Sequence, residues 1–191
     1  MSKKIFILAF FSMMIFACFF VVNTDLALYM KVDNLGGADD CGYALSLMRI
    51  PAIISGMLLA WFMRNLKNWT VPFAAVVMGL GYLIIAYSYT YVMLMIGCLV
   101  VGVGGGFALP SIQLYIPFIV TPRQRTLGVA IITSVAQFGQ FLSPLYTNLF
   151  VSESATDPCR ARFVVSAIST VIIGFLAWCF VRTLPKKPLV D

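Results

Sequence analysis

The sequence predicts an all-α integral membrane protein, built as one bundle of six transmembrane helices. Three observations carry that prediction. Hydrophobic residues make up 61% of the 191-residue chain and charged residues only 10%, where a soluble domain carries roughly 45–50% and about 25%. The apolar residues gather in six runs, each reaching or nearly reaching the roughly 20 residues that cross a hydrocarbon core. The Lys and Arg residues sit in small groups between those runs. A soluble fold of this size could not hide so much apolar surface.

A spanning segment must be a helix or part of a closed barrel, because lipid offers the backbone no hydrogen-bond partner. Barrel strands would alternate over about ten residues, and these runs are longer and more continuously apolar. The first span covers residues 5–30. It follows Lys3 and Lys4 as a leader would, but it has no clear small-x-small cleavage site before Asn23 and is long for a leader. The second span is residues 43–63. The third and fourth, residues 71–88 and 91–115, meet at Ser88-Tyr89-Thr90. So short a link permits only an antiparallel hairpin, and no charged residue occurs from Val77 to Tyr115. The fifth span is residues 127–151 and the sixth residues 163–181. Residues 1–185 thus read as one six-helix domain and residues 186–191 as a tail. A division into 3+3 spans is allowed, although Lys3–Tyr89 and Thr90–Asp191 share no convincing identity.

Charge sets the orientation. One side holds Lys3, Lys4, Arg64, Lys67, Arg123, Arg125, Arg182, Lys186 and Lys187; the other holds only Lys31, Arg49, Arg160 and Arg162 of the 13 basic residues. Asp33, Asp39, Asp40, Glu153 and Asp157 all fall on that second side. The positive-inside rule then places both termini in the cytoplasm, in a plasma membrane or bacterial inner membrane. The net charge of +6 forms no basic face or arm of the kind that binds nucleic acid. The chain has no His, and no metal cluster or paired intramembrane acids suggest an enzyme or a bound cofactor.

Polar groups inside the spans are costly and therefore informative. Asp25 lies near the outer end of the first span, beside Asn23 and Thr24, and Arg49 near the outer end of the second. An Asp25–Arg49 pair, snorkelling of Arg49 to the interface and a role in substrate or ion coupling all fit. In the fifth span Gln137, Gln140, Pro144, Thr147 and Asn148 fall within an arc of about 100°. Such a stripe is either a hydrogen-bonded seam between helices or the wall of an aqueous cavity, and Pro144 breaks the helical ladder there. In the fourth span Gly102 and Gly106 form a GxxxG pair, with Pro110 beyond; close packing and bending are both compatible with it. The tyrosines mostly mark the membrane interfaces, with Tyr82 and Tyr146 the internal exceptions. Cys41 and Cys159 both lie in outer loops, where a disulfide between them is allowed.

Three motifs in order carry a family resemblance: GVGGGFALP at Gly102–Pro110, TPRQRTLGVA at Thr121–Ala130 and FGQFLSPL at Phe138–Leu145. With six spans and basic inner loops, the chain resembles the C-terminal six-helix half of a major facilitator superfamily transporter, over about Lys3 to Pro185. The resemblance implies a 3+3 repeat bundle and alternating-access transport of a small solute, with proton or sodium coupling left open. It implies a cavity built by the first, second, fourth and fifth spans, which makes Asn23, Asp25, Arg49, Gln113, Gln137 and Gln140 its candidates. It also implies a partner: a second six-helix half, or a second copy of the chain in a homodimer. A non-transporting membrane module or an inactive gene fragment is the alternative, because the family's first bundle is not in the sequence and RNLKNW at Arg64–Trp69 only faintly echoes its signature loop.

Overall fold

A computed structural model describes residues 3–151 and 157–184; the tail at 186–191 lies outside them. The described residues form six α-helices and no strand: α1 (Lys3–Val32), α2 (Ala38–Leu66), α3 (Thr70–Ala86), α4 (Tyr91–Gln113), α5 (Arg125–Phe150) and α6 (Pro158–Arg182). Five of these stretches are long and apolar enough to cross a membrane. The exception is α3, with 17 residues, which sits at the lower limit of about 17 residues for a span.

The helix ends follow local chemistry rather than the limits of the apolar runs. Helix α1 stops where Asn34 takes φ 52°, a left-handed conformation that Asn tolerates, and Leu35 N–H then donates back to the Met30 carbonyl at 2.9 Å. Helix α2 starts at Ala38, five residues before its apolar run. Asp39 and Asp40 occupy its first turn, where the helix dipole favours acids, and the Asp40 carboxylate accepts from Gly37 N–H at 2.8 Å. Helix α6 starts at Pro158, with proline at a first-turn position that needs no N–H. Arg160 and Arg162, read from sequence as loop residues, therefore stand on the helix.

Successive helices alternate in direction through short links. This gives a basic end, with Lys3, Arg64, Arg123 and Arg182, and an acidic end, with Asp33, Asp39, Asp40 and Asp157. Helix α1 packs on α5 as α4 packs on α2; α3 packs on α4 as α6 packs on α1; and α3 and α6 pack on each other. Exchanging α1–α3 for α4–α6 preserves this scheme, and the two triplets run in opposite senses. The 3+3 inverted repeat that sequence identity does not reveal is thus plain in the packing.

The glycine run makes α4 the central helix. A Cβ on Gly102 would meet the Met48 carbonyl of α2, one on Gly104 would meet Met78 of α3, and one on Gly105 would meet the Phe19 ring of α1. A Cβ on Gly106 would meet Ser55 and Ala52 of α2. The run therefore lets three neighbours approach on three sides. The helix continues through it to Gln113, past Pro110.

Tyr82 is fully buried and its hydroxyl donates to the Cys18 carbonyl, tying α3 to α1. Tyr146 is also buried. Tyr29, read as an interface marker, is instead fully buried; its hydroxyl donates to the Ser88 carbonyl at 3.1 Å and fastens α1 to the α3–α4 turn. Cys41 and Cys159 are free, buried thiols. The disulfide is not formed, because Cys41 rides on α2 and Cys159 on α6, and those helices are not packed together.

Candidate functional site

A cavity of about 670 Å³ opens between α1, α2 and α5. Helix α5 presents Gln137, Gln140, Phe141 and Pro144 to it, at positions i, i+3, i+4 and i+7 of one face. Helix α1 presents Phe20, Asn23 and Thr24 at i, i+3 and i+4, and α2 presents Arg49. Gln137 and Gln140 are exposed on this face, as the wall of a cavity would be. Nearer the acidic end Thr147 is buried, with its hydroxyl donating within α5 to the Pro144 carbonyl at 3.1 Å, and Asn148 accepts from Arg162 of α6 at 2.9 Å.

Arg49 donates to Asn23 Oδ1 at 3.2 Å across the cavity. Its guanidinium carbon lies 5.7 and 5.9 Å from the ring centroids of Phe19 and Phe20, within range of a cation–π interaction. The Asp25–Arg49 pair, one of the three arrangements the sequence allows, is not formed. Asp25 is two residues beyond Asn23, about 200° further round α1, and it faces α6. There Arg162 Nη1 meets Asp25 Oδ1 at 2.8 Å, and Arg162 Nη2 donates to Asn148 Oδ1 at 2.9 Å. A second pair, Arg160 with Asp33 at 2.6 Å, joins α6 to the turn that follows α1, nearer the acidic end. Arg160 also lies 5.6 Å from the Tyr89 ring centroid.

Of the six cavity candidates, Asn23, Arg49, Gln137 and Gln140 line the cavity. Asp25 does not; it is buried against α6. Gln113 does not either: its amide donates to Thr133 Oγ1 at 3.1 Å and ties α4 to α5. Helix α4 contributes no residue to this wall. The residue that sequence reasoning missed is Arg162. Its signal was a charge balance: Asp25 near the end of the first helix and Asp33 just after it face two arginines just before the sixth apolar run.

The comparisons with known proteins bear on the family and the fold. The family model of the Major Facilitator Superfamily matches residues 5–191. A probable inositol transporter of Arabidopsis thaliana is 30% identical over 145 residues, which is 75% of this chain and 24% of that protein. Among solved structures, the proton:xylose symporter XylE bound to 6-bromo-6-deoxy-D-glucose superposes with a TM-score of 0.75 at 18% identity, over 92% of this chain and 44% of that one. A bacterial homolog of the human lysosomal transporter Spinster, inward-facing and unoccupied, superposes with a TM-score of 0.71 at 14% identity, over 100% of this chain and 46% of that one. The chain thus spans about half the length of these solved transporters and a quarter of the plant protein. It is a multi-pass integral membrane protein, and it belongs to the Major Facilitator Superfamily of solute transporters.

Proposed function

We propose that this chain works as a six-helix bundle of the C-terminal type, moving a small polyhydroxylated solute by alternating access against a second six-helix bundle. The cavity between α1, α2 and α5 carries this reading. It is open to one side, and Gln137 and Gln140 stand near the middle of α5. An amide offers both a donor and an acceptor, which suits hydroxyl groups, while Phe20 and Phe141 offer apolar faces to the carbon side of a sugar or polyol. The xylose symporter and the probable inositol transporter among the similar proteins support that class. Asp25, two residues from the cavity wall and bound to Arg162, is the group through which a proton or sodium gradient would be coupled. The basic end faces the cytoplasm in this reading, with both termini there. The facing bundle is a separate six-helix half or a second copy of this chain, since either would keep the amides and Arg49 from hydrocarbon.

Equilibrium binding of radiolabelled xylose and myo-inositol to the purified protein tests the proposal. Saturable binding weakened at least about tenfold by Gln137→Leu and Gln140→Leu, roughly one lost hydrogen bond each, is the expected result. Binding untouched by either substitution, or none to either solute by monodisperse protein assembled with its facing bundle, overturns it in favour of a non-transporting module.

A further inference from the structure

Three cavities run end to end along the outer face of α3 and α6. The first, about 370 Å³, lies at the basic end and is lined by Asn65, Asn68, Trp69, Trp178 and Arg182 together with Leu66. The second, about 280 Å³, shares Leu66 and Trp69 with the first and continues over Phe73, Val76 and Phe175. The third, about 330 Å³, shares Val76 with the second and follows the α3–α6 groove as far as Leu83, past Gly79. Polar groups line only the first; the other two are apolar throughout. From Trp69 to Leu83 the groove rises about 21 Å, the length of an extended acyl chain.

The polar end is built for an anion. The Arg182 guanidinium lies 4.6 Å from the Trp178 ring centroid, and Trp69 lies 4.6 Å from Trp178 on its own account. The two indoles thus form a wall at the level where membrane proteins place tryptophan. Arg182 forms no ion pair among the described residues. Asn65 and Asn68 add amide donors beside it. In the sequence Arg64 and Lys67 flank these residues, Lys186 and Lys187 follow Arg182, and the nearest acid on this side is Asp191. A free phosphate would use the polar pocket and leave the grooves unexplained. A lipid uses both.

We propose that this face binds one anionic phospholipid. Its phosphate sits on Arg182 and the Asn65 and Asn68 amides, and one acyl chain lies in the α3–α6 groove past Val76 and Gly79. The site is separate from the solute cavity and stands whether or not the chain transports.

Thermal unfolding of delipidated protein in mild detergent, with native mass spectrometry of the same samples, tests it. Phosphatidylglycerol and phosphatidylcholine of identical chains are compared with soluble glycerol phosphate. The expected result is one bound phosphatidylglycerol, preferred over phosphatidylcholine by about fivefold, as one basic contact at an anionic headgroup provides. Arg182→Gln should bring that ratio to about one, and Val76→Trp, which fills the shared part of the groove, should remove the bound lipid. Equal binding of both lipids, a full stabilisation by glycerol phosphate alone, or an unchanged preference in Arg182→Gln overturns the proposal. Should Val76→Trp not fold, the Arg182→Gln comparison decides.

Discussion

Arg162 of α6 holds Asp25 of α1 at 2.8 Å and, through its other terminal nitrogen, Asn148 of α5 at 2.9 Å. One guanidinium therefore joins three helices. Two residues away on α1, Asn23 receives Arg49 of α2 at 3.2 Å. Four helices are linked through a short stretch of α1 beside the cavity.

Removing one member of the Asp25–Arg162 pair should strand the other. The side chains are only 7% and 18% exposed, so Asp25→Asn and Arg162→Gln should each cost about 2–3 kcal/mol of stability. The double variant should cost less than the sum. A double-mutant cycle on unfolding in mild detergent measures this, and additivity within about 0.5 kcal/mol would remove the coupling. Arg49→Gln combined with Asp25→Asn should instead be additive, since those residues are not paired.

The outer pair should behave differently. Arg160 and Asp33 are 29% and 16% exposed. Water and headgroups screen them, so Arg160→Gln should cost no more than about 1 kcal/mol. A loss as large as that of Arg162→Gln would contradict this.

Glycine contacts make a steric prediction. Gly102→Ala and Gly139→Ala would drive a methyl group into the carbonyls of Met48 and Met13. Each should cost about 1–3 kcal/mol by overpacking. Gly42→Ala meets nothing within 4 Å, and since it lies within α2 it should be neutral or stabilising by up to about 1 kcal/mol on the same unfolding curve.

Accessibility separates wall from seam. Cys179 is the exposed cysteine of the five, so Cys179→Ser supplies the background. There Gln140→Cys should react with a small water-soluble thiol reagent and Thr147→Cys should not. Protection of both would mean that the stripe is buried along its whole length.

Topology follows from the same chemistry. Gly42→Cys, exposed at the start of the second turn of α2, should label only from outside intact cells, and Arg123→Cys only after the membrane is opened. The reverse pattern would invert the orientation.

Most of the fold was legible because lipid allows so few structures: six apolar runs had to be six helices. The packing repeat was not legible, since it lives in which helices touch and not in shared residues. At the site, the Gln137–Gln140–Pro144 face was readable from helical spacing alone. The Asp25 partner was left open between three arrangements, none with Arg162, because depth was judged from the limits of apolar runs, and Pro158 starts α6 early enough to carry Arg162 to the level of Asp25. Gln113 was misassigned for a related reason. Residue type marks it as polar within a span, but only the approach of Thr133 decides that it serves an interhelical bond.

The unequal lengths of the helices set a condition on the surrounding bilayer. Helix α3 has 17 residues and α1 has 30, which are about 26 and 45 Å long, against a hydrocarbon thickness of about 30 Å. A long helix reconciles itself to that thickness by tilting, whereas a short one has nothing to tilt. Thinning of the lipid beside α3, on the flank it shares with α6, is one way to accommodate it. Bilayers of shorter-chain lipid relieve that mismatch, so the protein should be most stable there and should sort toward the thinner of two coexisting membranes.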